Sequence, residues 1–329
     1  MIAPPIMRLP PLETVACDLC GSRRHRTVYE IPDAAFHPDQ WFNVVECLDC
    51  GLGFVNPRPT RAEMDHYYPA EFYLEFETEA VHHNQRYARE LGIVRRHART
   101  QQGRLLDVGC ANGGFPRFAA ASGWQVEGVE VGGNAQIITD FPVYQCELPQ
   151  IPVGEPAYDA ITAWAVIEHV HTPLSYFQKA GELLKPDGVF IFHVTNFDSA
   201  SSRHLFREDV PRHLYFFNRA TVAGYLQRSG LLLEAAIDDD SIYEMRPVNW
   251  LQHHIRRVFG LPPLRWQDLP PQRSRFVERW GCIAGNGAYL ARHPFAAIDR
   301  LLMPLYEKWQ MKQETYGMTT YIARKPRAR

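Results

Sequence analysis

Three groups of residues in this chain have the types and spacing to do chemistry. Four cysteines fall in near copies of one motif, Cys17-Asp18-Leu19-Cys20-Gly21 and Cys47-Leu48-Asp49-Cys50-Gly51. Two thiolates two residues apart reach one ion, and the glycine that follows lets the backbone turn its amides toward sulfur. Four thiolates suit tetrahedral Zn2+ in a closed, structural site, which has no open position for activating water or polarising a substrate. The second group is Leu105-Leu106-Asp107-Val108-Gly109-Cys110-Ala111-Asn112-Gly113-Gly114, an apolar strand that ends on a carboxylate and breaks into a glycine-rich turn. The third is a set of histidines at or just beyond expected strand ends, His169, His193 and His213. Imidazole titrates near neutrality, which suits removal of a proton from a reacting group.

The glycine turn can hold a ligand against the main chain, and two cofactor classes fit it. A dinucleotide would place its pyrophosphate there, where Asp107 repels it and where the preferred pattern has glycine at the position of Ala111. S-adenosylmethionine has no phosphate and carries ammonium and sulfonium charges, so an acid at the strand end suits it. Gln125-Val126-Glu127-Gly128-Val129-Glu130 reads as the next strand, ending on an acid able to accept hydrogen bonds from ribose hydroxyls. NAD enzymes use the same device, so Glu130 identifies a nucleoside and not which one.

These residues need elements to carry them. Strands are expected at Arg104 to Val108, Gln125 to Val129, Val143 to Gln145, Tyr158 to Ala163 and Val189 to Val194. Helices over Phe115 to Ser122 and Pro173 to Leu184 lie between them. Such alternation builds a parallel sheet covered on both faces, with ligands at the carboxyl edge. Gly109, Cys110, Gly113, Val131, Cys146, Glu147 and Trp164 then join Asp107 and Glu130 as expected cofactor contacts. His169 is the first choice of base, His213 the second, and His193, inside a strand, reads as a core histidine. Asn196 and Tyr215 are weaker polar candidates, and Arg212 could clamp an acidic substrate. Upstream, Thr60 with Glu63 has the pattern of a capping box. The aromatic run Tyr67 to Tyr73 reads as packing rather than a lid, and Arg86, Arg89, Arg95, Arg96 and Arg99 of an arginine-rich helix are expected in solvent.

The glycine turn, the acid Glu130, Ile167-Glu168-His169-Val170, Leu183-Leu184-Lys185-Pro186-Asp187-Gly188 and Pro211-Arg212-His213-Leu214-Tyr215-Phe216 occur in an order that resembles class I S-adenosylmethionine-dependent methyltransferases. Within them the chain is similar to the branch in which a zinc-knuckle module precedes the fold, a branch that includes some deoxysugar C-methyltransferases. The resemblance implies an α/β, Rossmann-like, doubly wound seven-stranded sheet whose last strand, Met318 to Ala323, is antiparallel. It also implies a division into a zinc-binding module over 1–75, a linking helix over 76–100 and a methyltransferase domain over 101–329. A helical insertion at about 240–315, containing Trp250, Trp266 and Trp280, is far longer than an ordinary loop.

Composition narrows the partners. A net charge of −2 and 46% hydrophobic residues describe a globular protein with no global field for nucleic acid or an anionic membrane. No apolar run approaches the ~18 residues of a membrane span, and the N-terminus lacks a signal-peptide pattern, so a cytoplasmic location is expected. The remaining cysteines, Cys110, Cys146 and Cys282, read as scattered buried thiols. The leading expectation is O- or C-methylation of a small molecule, a sugar or secondary metabolite, by in-line transfer with a histidine base. Competing readings are a nucleic-acid or protein methyltransferase that uses the knuckles for recognition, a zinc scaffold with a decayed catalytic domain, and an NAD-dependent oxidoreductase. Nothing in the sequence sets the oligomeric state.

Overall fold

The structure, a computed structural model, describes residues 10–69, 80–132, 138, 140–152, 154–239, 242–243, 245–268 and 294–327. Strands β1 (Leu12–Glu13), β2 (His25–Asp33), β3 (His37–Cys47), β4 (Gly53–Val55) and β5 (Arg58–Pro59) come first, followed by helix α1 (Ala80–His97). Next are β6 (Arg104–Val108), α2 (Gly114–Ala121), β7 (Gln125–Val129), β8 (Val143–Tyr144), β9 (Tyr158–Trp164), α3 (Pro173–Leu183) and β10 (Leu184–Thr195). The chain continues through α4 (Ala200–Arg203), β11 (Tyr215–Phe216), α5 (Arg219–Ser229), β12 (Leu232–Ile237), α6 (Trp250–Val258), α7 (Pro294–Lys312) and β13 (Met318–Arg324).

The main sheet has seven strands in the order β12-β13-β10-β9-β6-β7-β8. Strands β6 to β10 pair in parallel, and β13 runs antiparallel to both β10 and β12. Central strands such as β9 and β10 are apolar on both faces because helices cover both, as a parallel sheet requires. The fifth parallel strand starts earlier than Val189: Leu184 already pairs with Tyr158, and a bulge at Lys185 to Gly188 resets the register before Val189 meets Ala160.

A four-stranded antiparallel sheet, β11-β4-β3-β2, carries the cysteine motifs. Its outer strand β11 comes from the segment Tyr215–Phe216, more than 150 residues downstream of β4, and pairs with Phe54 and Gly53. The N-terminal sheet is therefore completed by the same connection that bears His213. One core runs through both sheets, from Cys17, Leu19, Leu52 and Phe54 to Phe177, Phe190, Phe192 and Tyr225. Asp18, inside the first knuckle, accepts the Leu174 amide at the start of α3 (2.9 Å) and the Tyr225 hydroxyl (3.0 Å), an acid placed where a helix N-terminus favours one.

Two local expectations change. After Thr60 the chain forms a 3-10 turn over Arg61–Tyr67 and Thr60 makes no side-chain cap; the Glu63 amide donates to the Thr60 carbonyl instead. Packing sets that course, because Tyr67 is fully buried against Phe42 and its hydroxyl receives the Gln40 amide. Arg89 and Arg96 of α1, and Arg99 just beyond it, are exposed, but Arg86 and Arg95 turn inward. Arg86 lies over the rings of Tyr87 and Tyr243 and pairs with the buried Glu90, while Arg95 donates to the Ser122 carbonyl. In the 240–315 stretch α6 and α7 pack through Trp250 stacked on Tyr306, with ring centroids 4.2 Å apart. Trp280 and Cys282 lie outside the described residues, as do Ala70 to Tyr73 of the aromatic run.

Candidate active site

At the carboxyl end of β6, Asp107 is 3% exposed and accepts the Thr162 hydroxyl of β9 at 2.7 Å. Burial pushes its carboxyl up to about 7, although that hydrogen bond and the charge of Arg86 pull the other way. The backbone then turns through Gly109 (φ 69°) and Gly113 (φ 81°), and a Cβ at Gly109 would lie 2.5 Å from a Val166 methyl. Both positions need glycine. Ala111 also sits in the left-handed region (φ 48°), at a cost of about 1 kcal/mol. Glu130 holds it there, one carboxylate oxygen accepting the Ala111 amide (2.9 Å) and the other the Gly132 amide (2.8 Å). The second acid thus braces the turn that follows the first.

The other expected cofactor contacts are distributed along the same edge. The Cys110 thiol is buried, packed where a Cβ on Gly128 would come within 2.6 Å of its sulfur. Val131 is exposed beyond β7. Cys146 and Glu147 follow β8; the Glu147 amide donates to the Gln150 side chain (2.9 Å), and its carboxylate pairs with Arg61. Trp164 closes β9, buried edge-on to Phe115 at 5.8 Å, its indole N–H without a partner among the described residues.

Beyond β9 and β10 the structure brings the two candidate bases together. The His169 and His213 rings are perpendicular with centroids 4.6 Å apart. Backbone pairing holds them: the Glu168 carbonyl accepts the amides of Leu214 (2.8 Å) and Tyr215 (3.1 Å). His213 Nδ1 lies 2.6 Å from Glu208, whose carboxylate also receives the Ser202 hydroxyl. Burial lowers the basicity of His213, but Glu208 more than offsets this and the net shift is upward. His169 has no such carboxylate. Its Nδ1 meets the Tyr68 hydroxyl at 2.9 Å, and burial beside His213 drives its pKa down to about 3. Glu168 completes the cluster, fully buried with neither carboxylate oxygen hydrogen-bonded among the described residues. Burial pushes it up to about 7, and one of its carboxylate oxygens lies within 4.8 Å of a ring nitrogen of each imidazole.

Other candidates belong to the scaffold. Arg212 is 1% exposed and bound by Asp33 (3.0 Å), Asp209 (2.6 Å) and the Tyr67 carbonyl (3.1 Å), so it is committed within the fold and cannot clamp a substrate. Tyr215 shares its hydroxyl with Arg58 and the His171 carbonyl, and Asn196 donates to the Glu314 carbonyl. His193 is a core histidine, as its position inside a strand suggests, with Nδ1 2.7 Å from the Thr320 hydroxyl.

Tyr68, Glu208 and the pair Arg86–Glu90 were missed by sequence reasoning. Tyr68 and His169 are 101 residues apart, and Glu208 precedes His213 by five residues, a spacing that no regular helix or strand brings face to face.

The cysteines converge. Cys17 and Cys50 sulfurs are 3.5 Å apart, Cys20 and Cys47 sulfurs 3.6 Å, and all four lie within 4.8 Å of one another. Disulfides would be about 2.05 Å long. Four thiolates at about 2.3 Å from one ion stand about 3.8 Å apart, so these residues fit tetrahedral zinc.

Residues 80–236 match the family model described as a methyltransferase domain. This segment, with the seven-stranded mixed sheet, is similar to a methyltransferase domain. Among curated relatives, a ubiquinone biosynthesis O-methyltransferase of Nitrosospira multiformis is 31% identical over 116 residues, 32% of this chain and 48% of that protein. One from Alkalilimnicola ehrlichii is 32% identical over 103 residues, 28% of this chain and 42% of that protein. The chain thus spans about half the length of the curated relatives it matches. Among solved structures, phosphoethanolamine N-methyltransferase 2 of Haemonchus contortus with S-adenosyl-L-methionine has a TM-score of 0.48 at 16% identity, covering 92% of this chain and 69% of that one. The 1,6-didemethyltoxoflavin-N1-methyltransferase of Burkholderia thailandensis has a TM-score of 0.46 at 13% identity, covering 85% and 98%. Among the described residues, no helix is long and apolar enough to cross a membrane.

Proposed function

We propose that this protein transfers a methyl group from S-adenosylmethionine to an oxygen or carbon of a small molecule, with His213 as the base and zinc in a purely structural role. The observation that carries the reading is the pair Asp107 and Glu130 around a positive-φ turn inside the methyltransferase-matched segment. A buried acid suits the cofactor's cationic amino acid end. Glu130, spending one lone pair per oxygen on backbone amides, retains others for ribose hydroxyls. When bound, the cofactor supplies an electrophilic methyl group with a good leaving group.

The chain's own residues then have two tasks, alignment and proton removal. His213 suits the second because Glu208 fixes its tautomer and stabilises its charged form, whereas His169 is held neutral and serves as its wall. Glu168, with two unbonded oxygens, accepts a hydrogen bond from the acceptor. The four cysteines leave zinc no open position, and Leu19 and Asp18 of the first knuckle are committed to α5 and α3. That commitment argues against the knuckle as a nucleic-acid or protein grip.

Calorimetry with S-adenosylhomocysteine on zinc-replete protein tests the reading: micromolar-range binding, weakened at least tenfold by Glu130→Ala, is expected. No heat with it, together with thermal protection by NAD, would transfer the site to the oxidoreductase reading.

A further inference from the structure

We propose that His204, His253, His254 and Arg257 form an anion-binding site that takes the phosphoryl group of the acceptor. Assignment of the phosphoryl group to the acceptor rests on the methyl-transfer reading; anion binding does not.

The four side chains come from two places, His204 from the end of α4 and the other three from α6. The rings of His204 and His253 stack nearly parallel, with centroids 4.7 Å apart and an interplanar angle of 18°. The His254 ring lies 5.2 Å from His253, oriented by a 2.7 Å hydrogen bond between its Nε2 and the Tyr306 hydroxyl. Nearby guanidinium groups are otherwise engaged: Arg203 pairs with Glu46, and Arg256 donates to the Pro262 carbonyl. The Arg257 guanidinium is exposed and makes no ion pair or hydrogen bond among the described residues, and the ring nitrogens of His204 and His253 make none either.

Among the described residues, no acid acts on this group. Burial lowers all three imidazoles; the charges that lower His204 further are Arg203, Arg257 and His254, those on His253 are His204, His254 and Arg257, and that on His254 is Arg257. Among the described residues, the charged Arg257 guanidinium and the N–H donors of three neutral imidazoles thus stand together without a carboxylate, and an anion is the ligand they lack. The matching ligand is a compact polyvalent anion. Phosphoryl oxygens accept from several donors at once, and an arginine fork recognises them in a planar, paired geometry.

The position relates the cluster to chemistry. His204 follows Ser202 by two residues, and Ser202 donates to Glu208, the carboxylate behind His213. Ser201 on the same helix donates to the Met245 carbonyl at 3.0 Å, which ties the start of the insertion to this connection. One short segment thus carries both the base's support and one wall of the anion site.

Titrating the zinc-replete full chain with inorganic pyrophosphate, followed by calorimetry and by the histidine C2–H resonances, tests this. Binding with a Kd of about 1 mM or tighter is expected. Arg257→Gln and His254→Gln should each weaken it about tenfold or more, while S-adenosylhomocysteine affinity in the same samples is unchanged. Unchanged cofactor affinity also reports that the variants are folded. No pyrophosphate binding by the parent protein, or equal binding by Arg257→Gln, overturns the proposal, and equal binding of citrate overturns the phosphoryl assignment. If pyrophosphate binds and S-adenosylhomocysteine does not, the anion site stands and the methyl-transfer reading falls; the opposite result does the reverse.

Discussion

His169 and His213 have the same side chain, and their neighbours shift them in opposite directions. A carboxylate 2.6 Å from one imidazole makes it the stronger base, and burial without such a partner makes the other a neutral surface. We expect His213→Gln to lower kcat by about a hundredfold or more while cofactor affinity stays constant, and His169→Gln to lower it much less. Rapid-quench measurement of methyl transfer separates the two. Asp107 permits a stability prediction. Its carboxyl titrates near 7 in the fold and at about 3.9 in an unfolded chain, so the folded state keeps a proton that the unfolded state has released between those values. Its contribution is fully present below about pH 4 and is lost as pH rises toward 7. Ligand-free Asp107→Asn protein is therefore expected to be more stable than the parent at pH 8, by on the order of 2 kcal/mol, with the gap closing by pH 4. Urea melts at the two pH values check the sign, and calorimetry should show cofactor binding weakened by the same change.

The segment Glu208 to Phe216 does two jobs as an element. Its end forms the outer strand of the cysteine-bearing sheet, and its middle presents His213 to the edge of the main sheet. Arg212 fixes the junction through Asp33 of β2, with both side chains almost fully buried. Removing one partner of a buried pair leaves an uncompensated charge, at about 3–5 kcal/mol. Asp33→Asn should therefore loosen the connection and shift the pH profile of kcat, with KM for the cofactor altered far less; Asp33→Glu should restore part of the rate. A profile unchanged in Asp33→Asn would confine Arg212 to a packing role. This connection was only partly legible in the sequence. Pro211 to Phe216 stands out as a motif, but nothing local says that Tyr215 and Phe216 pair with a strand more than 150 residues upstream, because strand pairing carries no signature in either partner alone.

At the scale of the whole molecule, the cysteine-bearing module and the methyltransferase-matched segment share a sheet and a core, so the zinc binding proposed for the four cysteines would be thermodynamically linked to the candidate site. A strong chelator should lower the melting temperature and abolish turnover together, with re-addition of Zn2+ restoring both. Circular dichroism melts and methyl-transfer assays on the same samples check this. Loss of zinc with turnover intact would show that the module is dispensable to the site.

The strand-helix alternation, the glycine turn with its two acids and the paired Cys-x-x-Cys knuckles could all be read from residue order. Each is local: hydrophobic period, positive-φ demand and ligand spacing are set within a few residues. Tertiary structure decided which histidine has a carboxylate behind it, that Arg212 is an internal tie, that Arg86 turns inward beside Asp107, and that three histidines and Arg257, from the end of α4 and from α6, come together with no carboxylate among the described residues acting on them. These are contacts between segments up to some 180 residues apart, and burial, which sets the charge states, exists only once those segments have packed.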